Sequence, residues 1–273
     1  MLLVVNIIVN NIFCELIFLS IIFLILQRNF KKLIIDMNIL IIGYGKMGRQ
    51  IEQTALQRGH SIAGIININD SFDTINPQNI DAAIEFTTPS SVMNNMDECF
   101  KRNIPLVVGT TGWYDNLESV KQRVESEKQS FLYSSNFAVG VYLFRQLNIY
   151  LAKMMNNYPA YTPCITEVHH IHKKDAPSGT AITLAEDLLS SYSHIKTWSK
   201  DIAGDETIMP VNSVRKGEEF GTHIISYDSD CDILEIKHTA KNRKGLALGA
   251  VMAAEFLNGK KGFFTMDDMM REI

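Results

Sequence analysis

A glycine-rich turn between a strand pattern and a helix pattern constrains the fold of this 273-residue chain more than any other feature. The apolar run Asn38–Ile42 leads into GYGKMG at residues 43–48, and the helix-forming stretch RQIEQTALQRG follows. The motif G-x-G-x-x-G is common, but between a buried strand and a helix it is typical of a dinucleotide-binding βαβ unit. Gly43 permits the tight turn, Gly45 lets the backbone approach a pyrophosphate, and Gly48 allows close packing of helix and strand. A tight βα turn without a ligand is the alternative.

Three further strand patterns end in small or hydroxyl-bearing residues and predict the rest of a cofactor crevice. Apolar runs of strand length end near residues 86, 108 and 134. In an open parallel α/β sheet a ligand binds outside the carboxyl ends of the strands, so the loops that follow should line one crevice. The predicted cofactor contacts are Gly43, Tyr44, Gly45, Lys46, Met47, Gly48, Asn67, Thr87, Gly109, Thr110, Thr111, Ser134, Ser135, Asn136 and Phe137.

The end of the second predicted strand leaves the choice between NADH and NADPH open. An acidic residue about 20 residues past the glycine motif normally binds the ribose hydroxyls of the cofactor. This chain has Asn67 first in that turn and Asp70 three residues later, with no arginine to pair with a 2′-phosphate. The pattern predicts NADH or NADPH, with a slight preference for NADH or for dual use.

A second motif, EVHHIHKKDAPSGTA at residues 167–181, combines proton donors with a helix start. It holds three of the seven histidines of the chain and two lysines. Imidazole, and lysine beside other cations, can donate protons near neutral pH. Asp175 or Ser178 is expected to cap the helix that follows, with Pro177 at an early helical position. The backbone N–H groups at such a start favour a carboxylate as ligand.

Two other interpretations apply to this motif when it is considered alone. His169, His170, His172 and Asp175 could ligate zinc, but none of the usual zinc spacings is present and the four cysteines lie far apart. A solvated basic loop is the other alternative. Because the motif accompanies a dinucleotide turn in the same chain, an anionic small molecule is favoured and no metal is predicted.

Composition and charge narrow the class of protein. Hydrophobic residues make up 46% of the chain and charged residues 21%, which is ordinary for a globular enzyme. The formal net charge of −4 argues against nucleic acid as the main partner. Four cysteines without a pairing pattern indicate a reducing compartment, which predicts a cytoplasmic protein.

An apolar N-terminal extension, residues 1–36, is expected to lie outside the fold. Asparagines and a glutamate interrupt it, and its clean apolar stretch Leu16–Leu26 is about half of the roughly 20 residues that span a membrane. It has no basic start and no A-x-A cleavage site of a signal peptide. Met37 directly precedes the first strand, so the functional protein is expected to begin there and a membrane partner is not expected. A membrane anchor and a packed extra helix are the alternatives.

The hydrophobic pattern changes after a predicted helix at residues 141–155 and indicates a second domain. The segments CITEVHH, MPVNSVR, GTHIISYD and ILEIKHTA alternate apolar and polar residues, as strands with one open face do. The turn-rich link Asp228–Asp232 favours an antiparallel hairpin between the last two. An open sheet face needs cover, and self-association is the common solution.

The predicted fold class is therefore α/β, with an N-terminal Rossmann-type dinucleotide-binding domain and a C-terminal α+β substrate domain that has an open mixed sheet. The dinucleotide-binding domain is expected at residues 37–135, and the substrate-binding and oligomerisation domain at 136–242. The last segment, 243–273, is expected to carry a helix that returns to the first domain.

Residues 37–273 resemble the 4-hydroxy-tetrahydrodipicolinate reductase (dihydrodipicolinate reductase) family of bacterial lysine and diaminopimelate synthesis. The resemblance rests above all on the motif at 167–181, and also on Gly43–Gly48, Glu85–Thr87, Gly109–Gly112, Ser135–Phe137 and Val139–Val141. It implies an NAD(P)H-dependent reduction of a cyclic imine dicarboxylate with loss of water. It also implies a homotetramer formed through the sheet of the C-terminal domain.

The resemblance assigns roles to single residues. His169 would be a proton donor or acceptor and Lys173 a proton donor, which makes both catalytic. His170 would contact the substrate, and Gly179 with Thr180 would bind a substrate carboxylate. Asn67 departs from the family, in which glutamate is frequent at this position.

Two other functions remain open at this point. One is another two-domain NAD(P)-dependent reductase, such as an aspartate dehydrogenase or a glucose-fructose oxidoreductase relative, which should lack the histidine-rich motif. The other is a non-catalytic dinucleotide-sensing protein, which would not need His169 and Lys173 together.

Overall fold

The computed structural model describes residues 36–200 and 205–272 of the chain. Apart from Asp36, the predicted N-terminal extension lies outside the described residues. No helix in the described ranges is long and apolar enough to cross a membrane.

The described residues contain eleven strands, seven α-helices and three single-turn 3-10 helices. The strands are β1 (Asn38–Ile42), β2 (Ser61–Ile66), β3 (Ala82–Glu85), β4 (Leu106–Val108), β5 (Ser130–Tyr133), β6 (Thr162–His169), β7 (Thr197–Ser199), β8 (Ile208–Arg215), β9 (Thr222–Asp228), β10 (Ile233–Thr239) and β11 (Gly262–Thr265). The helices are α1 (Lys46–Gln57), α2 (Val92–Lys101), α3 (Leu117–Ser126), α4 (Val139–Met155), α5 (Gly179–Leu189), α6 (Lys244–Leu257) and α7 (Met266–Glu272).

The first sheet is parallel throughout, with the strand order β11-β5-β4-β3-β1-β2. Side chains alternate across it, because successive residues of a strand point to opposite faces. Ile39 and Ile41 belong to the core cluster that α6 completes, whereas Leu40 and Ile42 belong to the cluster on the α2 side. Burial on both faces explains why these strands read as continuous apolar runs.

The second sheet is mixed, with the strand order β10-β9-β6-β8-β7. Strand β6 is parallel to β8 and antiparallel to β9, and β9 and β10 form the predicted antiparallel hairpin across Asp228 and Ile233. Helices α4 and α5 cover one face with a core that includes Leu184, Ile165 and Tyr227. The predicted fold class is confirmed.

The C-terminal segment returns to the first sheet by two elements. Helix α6 is the helix of segment 243–273, and it packs against α1, β3, β4 and β5. Strand β11 then pairs with β5 and extends the parallel sheet to six strands, which the sequence did not predict. The domain boundaries at 135/136 and 242/243 stay a prediction.

Two glycines of α6 give a matched test of this packing. A Cβ at Gly249 would lie 1.7 Å from the carbonyl oxygen of Phe137, whereas a Cβ at Gly245 would meet nothing within 4 Å. Gly249→Ala is expected to lower the free energy of unfolding by about 1–3 kcal/mol, because a backbone atom must move. Gly245→Ala should leave it unchanged or raise it by up to about 1 kcal/mol through helix propensity. Urea unfolding measures both variants, and equal effects would contradict the packing described.

Candidate active site

The glycine turn has the geometry that a bound pyrophosphate requires. Gly43 has a φ of 93°, and a Cβ there would lie 2.1 Å from the carbonyl oxygen of Phe86. A Cβ at Gly48 would lie 2.2 Å from the carbonyl oxygen of Gly43, so the first and third glycines are required by packing. At Gly45, by contrast, a Cβ would meet nothing within 4 Å.

The first turn of α1 is free of competing side chains. Gly45 is the N-cap residue, no side chain caps the helix, and the first turn has no acidic residue. The N–H groups of that turn therefore remain available to an anion, and the helix dipole favours one. These features fit the pyrophosphate of a dinucleotide at residues 43–48.

The loops after β3 and β4 pack against each other beside the glycine turn. The Thr87 N–H donates to Thr110 Oγ1 at 2.7 Å, and a Cβ at Gly109 would lie 2.1 Å from the ring of Phe86. The side chain of Phe137 is buried in the core, with its ring centre 5.9 Å from that of Phe86. Phe137 could therefore reach a cofactor only through its backbone.

A cavity of about 720 Å³ brings together residues from both predicted motifs. Its walls include Thr111 and Ser134–Asn136 from the first sheet, and His169, Lys173 and Gly179–Thr180 from the second motif. A neighbouring cavity of about 360 Å³ shares His169 and Thr180 and adds His170. The remaining predicted cofactor residues, Gly43–Gly48, Asn67, Thr87, Gly109, Thr110 and Phe137, line neither of these two cavities.

Helix α5 begins at the predicted place but with a different first residue. Ser178 is the N-cap residue, and its Oγ accepts from the Ala181 N–H at 3.2 Å. The prediction of Pro177 inside the helix is wrong, because Ser178 is extended and the helical conformation starts only at Gly179. Asn136 Nδ2 donates to Thr180 Oγ1 at 3.4 Å and so links the loop after β5 to this helix start.

Lys173 lies at the cavity wall beside a carboxylate. Its Nζ donates to both oxygens of Asp175, at 2.8 and 2.9 Å. The hydrogen bond from Lys173 holds the pKa of Asp175 below its ordinary value. His172 and Lys174 are exposed and line neither cavity. The cation is thus held in place by its own loop.

A buried carboxylate that the sequence reasoning missed lies behind His169. Glu167 is fully buried; it accepts from the Ser178 N–H at 3.1 Å and from Arg215 Nη2 at 3.0 Å. His169 Nδ1 lies 3.2 Å from Glu167 Oε2. Burial alone would raise the pKa of Glu167, but the polar groups of His169, Ser178, Ser213 and Arg215 outweigh it and hold this pKa well below its ordinary value.

His223, on β9, completes this cluster. Its Nε2 lies 3.3 Å from Ser178 Oγ, and its ring centre is 5.2 Å from that of His169. Burial, and secondly the charge of His169, lower the pKa of His223 to about 4, so it is neutral at neutral pH. Alternation in GTHIISYD places His223 on the buried face with Ile225 and Tyr227, a signal that could have found it.

The predicted zinc alternative does not match the grouping that the structure shows. Within residues 36–200 and 205–272, one group of potential metal ligands has all its ligand atoms within 4.8 Å of one another: Glu167, His169 and His223. His170, His172 and Asp175 are not part of that group. Glu167 already binds a guanidinium and a backbone N–H, which compete with any cation.

Comparison with known proteins decides the family. Residues 37–137 match the family model described as dihydrodipicolinate reductase, N-terminus, and residues 140–270 match the one described as dihydrodipicolinate reductase, C-terminus. A protein of Christiangramia forsetii named 4-hydroxy-tetrahydrodipicolinate reductase is 44% identical over 239 residues, which cover 87% of this chain and 99% of the relative. The chain belongs to the dihydrodipicolinate reductase family.

Other relatives of the family agree. A protein of Archaeoglobus fulgidus with the same name is 32% identical over 83% of this chain and 96% of its own length. The solved structure of dipicolinate-bound dihydrodipicolinate reductase from Paenisporosarcina sp. TG-14 has a TM-score of 0.67 at 22% identity, and covers 86% of this chain and 99% of that one. That likeness confirms the two-sheet fold.

The lowered pKa of buried His223 makes the free energy of unfolding depend on pH. In the unfolded chain His223 regains its ordinary pKa of about 6.5, so as pH falls the unfolded state binds a proton that the folded state refuses. Stability is therefore full above pH 6.5 and is lost as pH falls towards 4, the lowered pKa. Between pH 7 and 5 the free energy of unfolding should drop by roughly 1–2 kcal/mol more in the unaltered chain than in His223→Gln. Parallel pH dependences in urea unfolding would contradict the neutral buried state.

Proposed function

We propose that this chain catalyses the NAD(P)H-dependent reduction of 4-hydroxy-tetrahydrodipicolinate to tetrahydrodipicolinate, with loss of water, in the diaminopimelate route to lysine. The observation that carries the proposal is the cavity that brings Thr111 and Ser134–Asn136 together with His169, Lys173 and the start of α5. Family members of nearly the same length are named for this reduction. An aspartate dehydrogenase and a non-catalytic sensor are set aside, because neither accounts for that family membership.

The cofactor would lie along the carboxyl ends of the first sheet. The turn at residues 43–48 would hold the pyrophosphate through backbone N–H groups, since the space beside Gly45 is open. Thr111 and Ser134–Asn136 would hold the reactive end, because they face the cavity that also contains His169. When bound, a reduced nicotinamide supplies the hydride.

The substrate carboxylate would dock on the start of α5. Gly179 and Thr180 begin that helix, its first turn has no acidic residue, and a Cβ at Gly179 would meet nothing within 4 Å. The free N–H groups and the helix dipole favour an anion there. His170 lines the adjoining cavity with Lys241 and Arg243, so the charge around the second half of the substrate is positive.

Two groups would handle protons at the same place. Lys173 Nζ, an ammonium held by Asp175, is a donor at the cavity wall. The Nδ1 of His169 is buried against Glu167, which leaves Nε2 for exchange. Gly221 keeps that nitrogen uncovered, because a Cβ there would lie 3.0 Å from it. The positive charge also stabilises the negative charge that develops as the hydride adds.

For the cofactor preference we propose NADH or dual use. Asn67 follows β2 directly, where an acidic residue would select against a 2′-phosphate, and the Asp70 carboxylate accepts the Asn67 N–H at 2.8 Å. The Arg49 guanidinium lies 4.7 Å from the ring centre of Tyr44, so the glycine turn has a cation beside it. A 2′-phosphate would therefore find a cation near the glycine turn, which supports dual use.

A homotetramer through the second sheet and a cytoplasmic location complete the proposal. On the face of the second sheet that α4 and α5 leave open, Val214 of β8 and Ile233 of β10 expose apolar side chains. Such a face favours self-association. Sedimentation equilibrium should give four chain masses, and a monomer would refute this part.

Cys99, Cys164 and Cys231 are free, in keeping with a reducing compartment.

The activity is tested by the oxidation of reduced nicotinamide, followed by absorbance with substrate generated by the preceding synthase reaction. The unaltered chain should oxidise NADH or NADPH only when the substrate is present. Lys173→Ala and His169→Gln should each lower kcat by about 10²-fold or more, the usual contribution of a positioned proton donor.

Lys174→Ala is the matched control, because Lys174 is exposed and lines neither cavity. It should retain nearly full activity. An inactive unaltered chain would refute the proposed reaction. Full activity in both Lys173→Ala and His169→Gln would refute the assigned roles but not the reaction.

A further inference from the structure

A buried ion pair outside the predicted site residues ties the catalytic motif together. We propose that Arg215 and Glu167 are positioning residues for the reduction, and that they set the places of Lys173, His169 and the start of α5 at once. This inference rests on the proposed function for its kinetic consequence. Its structural part stands on contacts alone.

Arg215 holds the loop that carries Lys173. Its Nη2 donates to the carbonyl oxygen of Asp175 at 2.6 Å, and its Nε donates to that of Lys173 at 3.4 Å. The guanidinium therefore binds the backbone on both sides of Lys174. Because Lys173 and Asp175 also form a salt bridge, fixing their two backbones fixes the place of the ammonium.

Glu167 carries the same constraint to the other side of the site. Its Oε1 accepts from Arg215, while its Oε2 accepts from the Ser178 N–H at 3.1 Å and lies 3.2 Å from His169 Nδ1. Ser178 is the N-cap of α5. The Glu167 carboxylate therefore contacts both the cap of the helix that would bind the substrate and the ring of His169. Glu167 lies two residues before His169 on β6, so both side chains point to the same face of the strand.

Sheet register explains why these groups meet. In the parallel pairing of β6 with β8, His169 lies opposite Arg215 and Glu167 opposite Ser213. In the antiparallel pairing with β9, Glu167 lies opposite His223. The Glu167 carboxylate is thus enclosed by both neighbouring strands. The planar guanidinium of Arg215 contacts this carboxylate and the carbonyl oxygens of Lys173 and Asp175 at the same time. The three N–H donors of a lysine all leave one nitrogen, whereas the contacts of Arg215 come from two separate nitrogens of its planar fork, so lysine would not reproduce them.

A carboxylate beside a catalytic imidazole has a defined chemical effect. It favours the tautomer with the proton on Nδ1, which leaves Nε2 as the exchanging nitrogen, and it orients the ring. Arg215 balances the charge of Glu167, so the pair positions His169 without adding net negative charge to an anion-binding site. Misplacement of a catalytic group by about 1 Å can cost about 10²-fold in rate.

The kinetic test uses Arg215→Ala in the full chain, with Arg58→Ala as the matched control. Arg58 forms a comparable guanidinium–carboxylate pair with Glu255, away from the cavities. Arg215→Ala should lower kcat by about 10²-fold with an unchanged KM for the nicotinamide cofactor, whereas Arg58→Ala should keep kcat. Glu167→Gln should lower kcat in the same direction.

Chemical rescue separates positioning from a loss of overall stability. Arg215 is 20% exposed, so Arg215→Ala leaves a site that guanidinium ions in millimolar guanidine hydrochloride can enter. They should raise the kcat of Arg215→Ala several-fold and leave the unaltered enzyme and Arg58→Ala unchanged. Absence of rescue, or loss of activity equal in Arg58→Ala, would overturn the kinetic claim.

Hydrogen exchange tests the structural part without turnover. The Lys173 N–H donates to the His170 carbonyl oxygen at 3.2 Å, so the loop has its own reporter. In Arg215→Ala, amides at residues 170–181 should exchange faster while those of the first sheet keep their rates. Unchanged exchange in this loop would overturn the inference. An inactive unaltered enzyme would refute the proposed function, and the exchange result would still decide the positioning claim.

Discussion

The burial of one negative charge, that of Glu167, organises the catalytic half of this protein. An ionised carboxylate without partners is costly in a protein interior, and removing one partner of such a pair is strongly destabilising. Here Arg215 and the Ser178 N–H provide the partners, and they belong to a neighbouring strand and a helix start. Satisfying this charge therefore requires β6, β8 and α5 to assemble in one arrangement. The same arrangement brings His169 to the cavity and keeps Ser178 as the helix cap.

The two sheets contribute complementary chemistry to one cleft. The first sheet contributes Thr111 and Ser134–Asn136 to the cavity, and the second contributes the start of α5, Lys173 and His169. The uncapped start of α1 lies outside this cavity, where the proposed dinucleotide would place its pyrophosphate. In the proposed reaction neither sheet would suffice alone, because the hydride and the protons would come from opposite walls. Asn136 spans the junction, since it follows β5 and donates to Thr180 at the start of α5. Helix α6 and strand β11 return to the first sheet, and Gly245 at the start of α6 and Thr265 at the end of β11 line the two cavities.

Local patterns in the sequence predicted what local forces determine. The conformation of Gly43, the cap at Ser178 and the hairpin across Asp228 each depend on a few adjacent residues, and each was predictable. Strand β11 was missed because its four residues, GFFT, are too few to show a strand pattern. Its partner β5 also lies more than a hundred positions earlier in the chain. Glu167 and Arg215 were missed as site residues because their contact exists only through strand register. Pro177 was misplaced because the sequence offers two candidate caps, Asp175 and Ser178. A cap at Asp175 would put Pro177 inside the helix, whereas the observed cap at Ser178 leaves it outside.

In the proposed reaction a hydride crosses this cleft from a nicotinamide on the first sheet to a cyclic imine dicarboxylate held at the start of α5. The most direct measurement is deuterium transfer. The enzyme is supplied with reduced nicotinamide labelled at C4 on one face or the other, together with substrate freshly made by the synthase, and the product is analysed by mass spectrometry. One deuterium is expected in the product from one labelled face and none from the other. A product without deuterium from either face, or no product at all, would contradict the proposed reaction.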